Sequence, residues 1–364
     1  MYKILSLVFV IKLSVLSLYA DPINFNEDSL LIKKGINARI LPIVYYLPET
    51  SLAFGAAGVS TFRISEKQTR ASVIQFAGLY TLKNQFTLTT GFDIFAKGED
   101  LRFIGELSYY NYFYNFYGIG KETQKDNFER YQVTFPRLRI AGYRKVKDQI
   151  SVGLLHQFEG ITSINYEKGG LIDKSNYTGK DGGVISSLGI GFLYDSRDNI
   201  ISPLKGFFTE FQYSKSNKIF LSAFNYHRSS LDVRHFITPF KSFTVASNIV
   251  IGHMAGNVPF YDMYSIGSSN EARGINDRRF KDKTLMVGQV EVRFPVCWRL
   301  RANVFASSAS VGNGISSTIQ NRFTKSYGAG LRYVLNKNDK SLLRVDVARS
   351  KEGFNFYFTA GEAF

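Results

Sequence analysis

The stretch Phe86–Lys97, "FTLTTGFDIFAK", puts Phe86, Leu88, Phe92 and Ile94 on one side of an extended chain and Thr87, Thr89, Gly91 and Asp93 on the other. Side chains alternate faces along a strand, so this period of two reads as a β-strand with one apolar and one polar face. The pattern returns along the chain. In "DLRFIGELSYY", Leu101, Phe103, Leu107 and Tyr109 oppose Arg102, Glu106 and Ser108. In "GFFTEFQYSK", Phe207, Phe211 and Tyr213 oppose Glu210, Gln212 and Ser214. In "LLRVDVAR", Leu343, Val345 and Val347 oppose Arg344 and Asp346.

Roughly sixteen such segments follow one another: 37–47, 52–64, 71–82, 86–97, 100–112, 128–143, 148–161, 184–196, 206–216, 221–237, 241–254, 284–296, 300–311, 324–336, 341–350 and 354–364. Many reach ~10 residues, the length with which a tilted strand crosses a bilayer. Turn-forming stretches such as "SEKQTR", "KGED" and "SKEG" join them. The longest connections, 113–127, 162–183, 255–283 and 312–323, follow the fifth, seventh, eleventh and thirteenth segments. All are odd-numbered, so in a barrel of antiparallel strands all lie on one side. Long loops on one side and short turns on the other is the arrangement of bacterial outer-membrane barrels.

Composition fits that class. Thirty-two Phe and 22 Tyr stand against a single Trp, and 31 Gly supply turns. Cys297 is the only cysteine, which excludes an internal disulfide and a cysteine metal cluster. His156, His227, His235 and His253 fall on separate segments without metal-ligand spacing, so no metal site and no cofactor are expected. The first 20 residues, "MYKILSLVFVIKLSVLSLYA", read as a secretory signal, with Lys3 before an apolar stretch and Ala20 at the cleavage point. Residues 21–36 are then a short periplasmic segment and 37–364 the transmembrane barrel. Export sets the net charge of +15 against anionic lipid or phosphorylated glycolipid rather than nucleic acid.

Several motifs, in order, carry a family resemblance. They are "LPIVYYLPETSLAFGAAG" (41–58), "FYGIGKET" (116–123), "YDSRDNIISPLKG" (194–206), "EARGINDRRF" (271–280), "LMVGQVEVRFPV" (285–296) and "FNFYFTAGEAF" (354–364). Together they resemble the BamA/TamA-type outer-membrane barrel superfamily, also called the bacterial surface antigen family. The resemblance implies an all-β, sixteen-stranded antiparallel barrel with a long loop between strands 11 and 12 folded back inside. It also implies a role in inserting or translocating protein or lipid at the bacterial outer membrane, with the barrel assembly machinery and a client as partners, and no enzymatic chemistry. BamA and TamA carry periplasmic POTRA domains before the barrel, and 21–36 is too short for one.

Residue by residue, Arg273 and Gly274 match the family's loop motif, and Glu291, Arg293 and Pro295 its following strand. Alternation puts Gln289, Glu291 and Arg293 on the polar face, so Arg273 is expected to pair with Glu291. The family places an Asp on strand 13 beside the loop arginine. Ser307 stands near that place, which predicts a weaker lock. Asp195, Arg197, Asp198, Asn199, Pro203 and Gly206 match a periplasmic turn, read as backbone capping rather than a carboxylate pair. Phe354, Phe356, Phe358, Ala360 and Phe364 form the outward face of a last strand that doubles as an assembly signal, with Glu362 at the interface. Two other readings stay open: a passive pore with a polar lumen, and a lipolytic enzyme using a serine–histidine pair.

Overall fold

The structure is a computed structural model, and it describes residues 37–47, 51–64, 70–96, 99–240, 242–335, 340 and 342–364. The expected signal sequence and the 21–36 segment lie outside the described residues.

The chain is a succession of strands: β1 (Asn37–Leu47), β2 (Ser51–Phe62), β3 (Ser72–Thr81), β4 (Phe86–Ala96), β5 (Leu101–Phe116), β6 (Glu129–Lys147), β7 (Ile150–Ile161), β8 (Ser163–Asn165) and β9 (Gly183–Asp195). They continue with β10 (Gly206–Ser216), β11 (Tyr226–Phe240), β12 (Phe243–Gly256), β13 (Tyr264–Ile266), β14 (Phe280–Asp282), β15 (Thr284–Cys297), β16 (Leu300–Gly312), β17 (Thr324–Val334), β18 (Leu342–Ser350) and β19 (Gly353–Ala360). Among the described residues, two short helices, α1 (Leu171–Lys174) and α2 (Ile315–Gln320), sit in connections. Among the described residues sixteen strands are long, and they match the sixteen sequence segments. The three-residue β8, β13 and β14 are too short for a period to announce them.

Pairing is antiparallel between sequence neighbours throughout, from β1–β2 to β18–β19. β7 skips β8 to pair with β9, and β12 skips the 257–283 segment to pair with β15. β8 extends the edge of β6 at Gln132–Thr134, while β13 and β14 pair only with each other.

One face of this sheet is apolar and exposed. On β19, Phe354, Phe356 and Phe358 are 63%, 74% and 60% exposed, alternating with half-buried Asn355, Tyr357 and Thr359. Exposed apolar area on this scale suits a hydrocarbon neighbour rather than water. The other face buries charge: Glu291, Arg344 and Asp346 are each 0% exposed. The sheet curls enough for groups three strands apart to meet, as when the Tyr143 hydroxyl on β6 donates to Glu210 on β10 at 2.7 Å.

Three expectations need correction. The tenth segment does not begin at 221. Residues Lys218–Phe220 make a 3₁₀ turn in which Asn217 Oδ1 accepts from Phe220 N, and β11 starts at Tyr226. The apolar run "IFLSAF" mimics a strand, yet Ile219 and Leu221 are 82% exposed. The fifth segment runs on to Phe116, because residues 113–116 keep pairing with 129–132, and the sixth runs on to Lys147, because residues 144–147 keep pairing with β7. The last strand ends at Ala360, since Gly361 (φ +80°) turns the chain out of the sheet. Phe364 therefore does not share the outward face of Phe354, Phe356 and Phe358. It is buried beside Phe236, Ala246 and Ala363. Glu362 is likewise not at an outward interface; its side chain is 3% exposed and paired with Arg332 at 3.2 Å and Arg293 at 3.7 Å.

Candidate functional site

The segment 257–283 leaves β12 and returns at β15 with the Arg-Gly corner at its tip. Its turns are tight. Ser268 N donates to Glu271 O, Glu271 N donates to Ser268 Oγ, and Ile275 N reaches back to Ala272 O. Ala272 (φ +52°) and Gly274 (φ +99°) lie in the left-handed region. At Gly274 a side chain is strained twice over: the backbone disfavours it, and a Cβ would stand 3.0 Å from the Ala348 Cβ and 3.1 Å from Arg349 N. Apolar residues of the segment, Ile266, Ala272, Ile275 and Phe280, pack on Val250, Leu285, Val287, Ala309 and Val311 of β12, β15 and β16.

That corner delivers Arg273 into a cluster of buried charge. Arg273 Nη2 donates to Glu291 Oε2 on β15 at 2.5 Å, and Nη1 donates to Asp346 Oδ2 on β18 at 2.5 Å. The guanidinium also lies 3.6 Å from the centre of the Phe305 ring, a cation–π contact removed from water. Glu291 accepts from Arg293 Nε (2.8 Å) and Arg332 Nη2 (3.3 Å) as well. Asp346 accepts from Arg332 Nη1 (2.5 Å) and lies 3.5 Å from Arg344 Nε. Four guanidinium groups thus share three carboxylates, counting Glu362.

Gly274 extends the arrangement to the last hairpin. Its N–H donates to the Tyr357 hydroxyl on β19 at 2.8 Å. Its carbonyl accepts from Ser350 Oγ at 2.6 Å and Asn355 Nδ2 at 3.1 Å. Further along, Arg279 donates to Glu352 Oε2 in the β18–β19 turn, and to Thr123 O and Oγ1 in the β5–β6 connection. Lys121 from that connection covers the Phe280 ring at 3.9 Å and donates to Thr324 Oγ1. Burial, with Arg278 nearby, pushes the Lys281 ammonium down to about 7; burial, with Lys351 nearby, pushes Lys121 down to about 8.

A second buried network forms where β9 runs into the β9–β10 turn, and Ser202 of that turn donates to Glu362 of the first network at 3.4 Å. Asp195, at the end of β9, accepts from Arg197 Nε and Nη2 (both 2.9 Å), from Arg102 Nη1 on β5 (2.8 Å) and from Arg70 Nη1 (3.4 Å). Arg102 also forks onto Asp93 at 2.8 and 2.6 Å. Asp198 Oδ1 takes the N–H groups of Leu204 and Lys205, and Asn199 Oδ1 those of Ile201 and Ser202. Pro203 is buried and Gly206 has φ +105°. The Asp and Asn side chains of the motif therefore close the turn on its own backbone.

The Omp85 superfamily domain model matches residues 61–364. The chain belongs to the Omp85 superfamily. Membership points to the bacterial outer membrane. BamA from Haemophilus ducreyi, solved without POTRA domains 1–3, is similar in fold (TM-score 0.52, 13% identity, 90% of this chain and 70% of that one). So is CdiB from Acinetobacter baumannii (TM-score 0.53, 10% identity, 90% and 65%). No curated protein sequence matches the chain.

In this Omp85 member, Arg273, Gly274 and Glu291 come together, and Ser307 does not join them. Ser307 Oγ shares a 2.6 Å hydrogen bond with Ser326 on β17. The second carboxylate comes instead from Asp346, two strands beyond β16 on β18. Sequence alternation already placed Asp346 on the polar face, but only strand order brings it to the loop. Arg332, Arg344, Tyr357 and Asn355 carried no motif and were missed. So was Arg102, whose partner Asp195 was read as part of a turn alone. The histidines are dispersed: His253 Nδ1 meets Thr284 Oγ1, His227 Nδ1 meets Tyr213, and His235 stacks on Phe207. Among the described residues no group of three or more His, Cys, Asp or Glu has metal-binding geometry.

Proposed function

We propose that this chain is a sixteen-stranded transmembrane barrel of the outer membrane that assists insertion or translocation of protein or lipid, with the 257–283 segment folded into its lumen as a clasp on the last hairpin. The observation that carries the reading is the Arg273–Gly274 corner. Arg273 ties the loop to β15 and β18, and Gly274 ties it to β18 and β19. A loop so held controls how firmly β19 is kept in place.

The seam between β1 and β19 is the place to open. β19 contributes eight residues and then turns away at Gly361, whereas β5 and β6 share sixteen paired positions. Fewer backbone hydrogen bonds make the terminal edge the easiest to part, and a parted edge is a template for an incoming strand. Pro42 in β1 removes one further donor from that strand. The clients are nascent outer-membrane chains or lipid. The barrel assembly machinery would itself read Phe354, Phe356 and Phe358 before the chain folds, and Phe364 only before it is buried. No catalytic step is assigned.

Depletion of the protein in its host tests this reading. Mislocalised outer-membrane proteins or lipids are the expected result, restored by the wild-type gene but not by Arg273→Ala. Normal membranes after depletion, with large open-channel conductance of the purified protein little changed by Arg273→Ala, would establish a passive pore instead.

A further inference from the structure

The outward face of β6, β7, β9 and β10 carries a groove of about 550 Å³, and its residues have no part in the loop clasp. That volume falls within the ~300–1,000 Å³ typical of ligand sites. Strand register explains it. Arg144, Val152, Phe192 and Phe211 stand in one row across the four strands, and Gly142, Leu154 and Ile190 begin the next. Between the rows runs bare backbone at Gly153 and Gly191. The second row lacks a side chain at Gly142, so the groove is open at that end.

The floor is held from inside. Tyr143, only 1% exposed, lies across Gly153 and Gly191 on the polar face, where a Cβ on Gly153 would stand 2.6 Å from its ring and one on Gly191 2.5 Å from its hydroxyl. Its hydroxyl is anchored on Glu210 at 2.7 Å. The backbone under the groove therefore cannot fluctuate freely, and a preformed site loses little entropy when filled. The walls are apolar: Leu154 is 73% exposed, Ile190 59% and Phe192 41%. One end is cationic. Arg144 sits on the outward face three residues before the end of β6, followed by exposed Lys145 and Lys147. None of the three is in an ion pair among the described residues. The short β6–β7 turn puts this end at the periplasmic rim if the barrel is oriented as proposed above, on which this inference rests.

We infer that the groove is a seat for one phospholipid of the periplasmic leaflet, its acyl chain lying over Gly153 and Gly191 and its phosphate held by Arg144. The apolar walls take the chain by the hydrophobic effect. The guanidinium supplies a forked, charge-assisted contact to phosphate oxygens at the depth where an arginine side chain reaches the interface. A seated lipid on this side stiffens β6–β10 in the bilayer, away from the seam at which β1 and β19 would part.

Native mass spectrometry of the full chain extracted in mild detergent tests the seat. The wild type is expected to retain a single phospholipid. Gly142→Phe blocks the groove at a position where a Cβ already has room, 3.4 Å from the Phe103 ring. Arg144→Glu, at an exposed site, removes the phosphate contact. Each is expected to lower the retained fraction about tenfold, while Arg130→Ala, an exposed residue at the far end of β6, leaves it unchanged. Heat-modifiability on gels verifies folding, and if Gly142→Phe fails it, Arg144→Glu decides. Equal retention in wild type and Arg144→Glu, a spread of lipid numbers with no single bound species, or a bound glycolipid in place of phospholipid would each overturn the seat. Those outcomes leave the insertion reading standing, because host depletion measures clients and not bound lipid.

Discussion

The two buried arginine–carboxylate networks use the same chemistry to opposite ends. Around Asp195 every arginine but Arg197 comes from β5 or from just before β3, and Arg197 itself is two residues from its partner. The turn closes on its own backbone and the strands hold the rest. Around Glu291 the decisive arginine arrives on a loop, 18 residues before Glu291 and 73 before Asp346, across a backbone that visits the left-handed region at Ala272, Gly274 and Arg278. The first network is a fixed joint. The second includes one member that can leave without unfolding the sheet. Removing Arg273 still leaves Glu291 with Arg293 and Arg332, and Asp346 with Arg332.

Removing a carboxylate is the harshest way to break the comparison. Glu291→Ala leaves Arg273, Arg293 and Arg332 facing one another, and Asp195→Ala does the same to Arg102 and Arg197. Each is expected to cost about 3–5 kcal/mol, measured as the urea midpoint of refolded protein in detergent or lipid. Both networks should suffer alike. Arg273→Ala should cost clearly less, and equal loss would make the loop arginine another fixed strut.

Gly274→Ala comes next. The φ of +99° and the contacts with Ala348 and Arg349 predict about 1–3 kcal/mol of strain at the corner. It should appear as faster proteolysis within 257–283, with little change in the sheet's own stability. Tyr357→Phe removes the partner of the Gly274 N–H and should open the same segment by about 1–2 kcal/mol. Ser307→Ala should leave the segment's proteolysis unchanged, because Ser307 is bonded to Ser326 and not to Arg273.

How much of this was legible in sequence follows from which signals are local. Period-two alternation is local, so all sixteen long strands, the polar-face placement of Glu291 and the outward Phe354, Phe356 and Phe358 could be read directly. Register between strands is not local. Asp346 lay on the correct face in "LLRVDVAR", yet nothing in that stretch says that β18 stands two strands from β16. Parity also fails wherever the backbone stops being extended. Carrying it through Gly361 sent Glu362 and Phe364 outward, when the turn there folds Phe364 against Arg293 and Glu362 against Arg332. Starting it at Leu221 lengthened β11 over residues 221–225, which follow a 3₁₀ turn and precede the strand.

A pH dependence confined to the loop side is also expected. Lys281 is held at about 7 inside the packed segment, well below the ordinary lysine value near 10.4 that it would regain on release into water. Between those values the released form binds a proton that the packed form does not, so the packed form gains stability as pH rises. Lys121, held at about 8, acts in the same direction. Proteolysis within 257–283 should therefore slow from about pH 6 to about pH 9, and Lys281→Met should remove most of that dependence. Persistence of the full dependence in Lys281→Met would assign it elsewhere.

The central claim is that the loop corner clasps the last strand. Amide hydrogen exchange along Gly353–Ala360, in folded protein in lipid, reads it directly. The account predicts faster exchange of β19 in Arg273→Ala than in wild type, with β9 and β10 unchanged. Exchange of β19 identical in Arg273→Ala and wild type would contradict it.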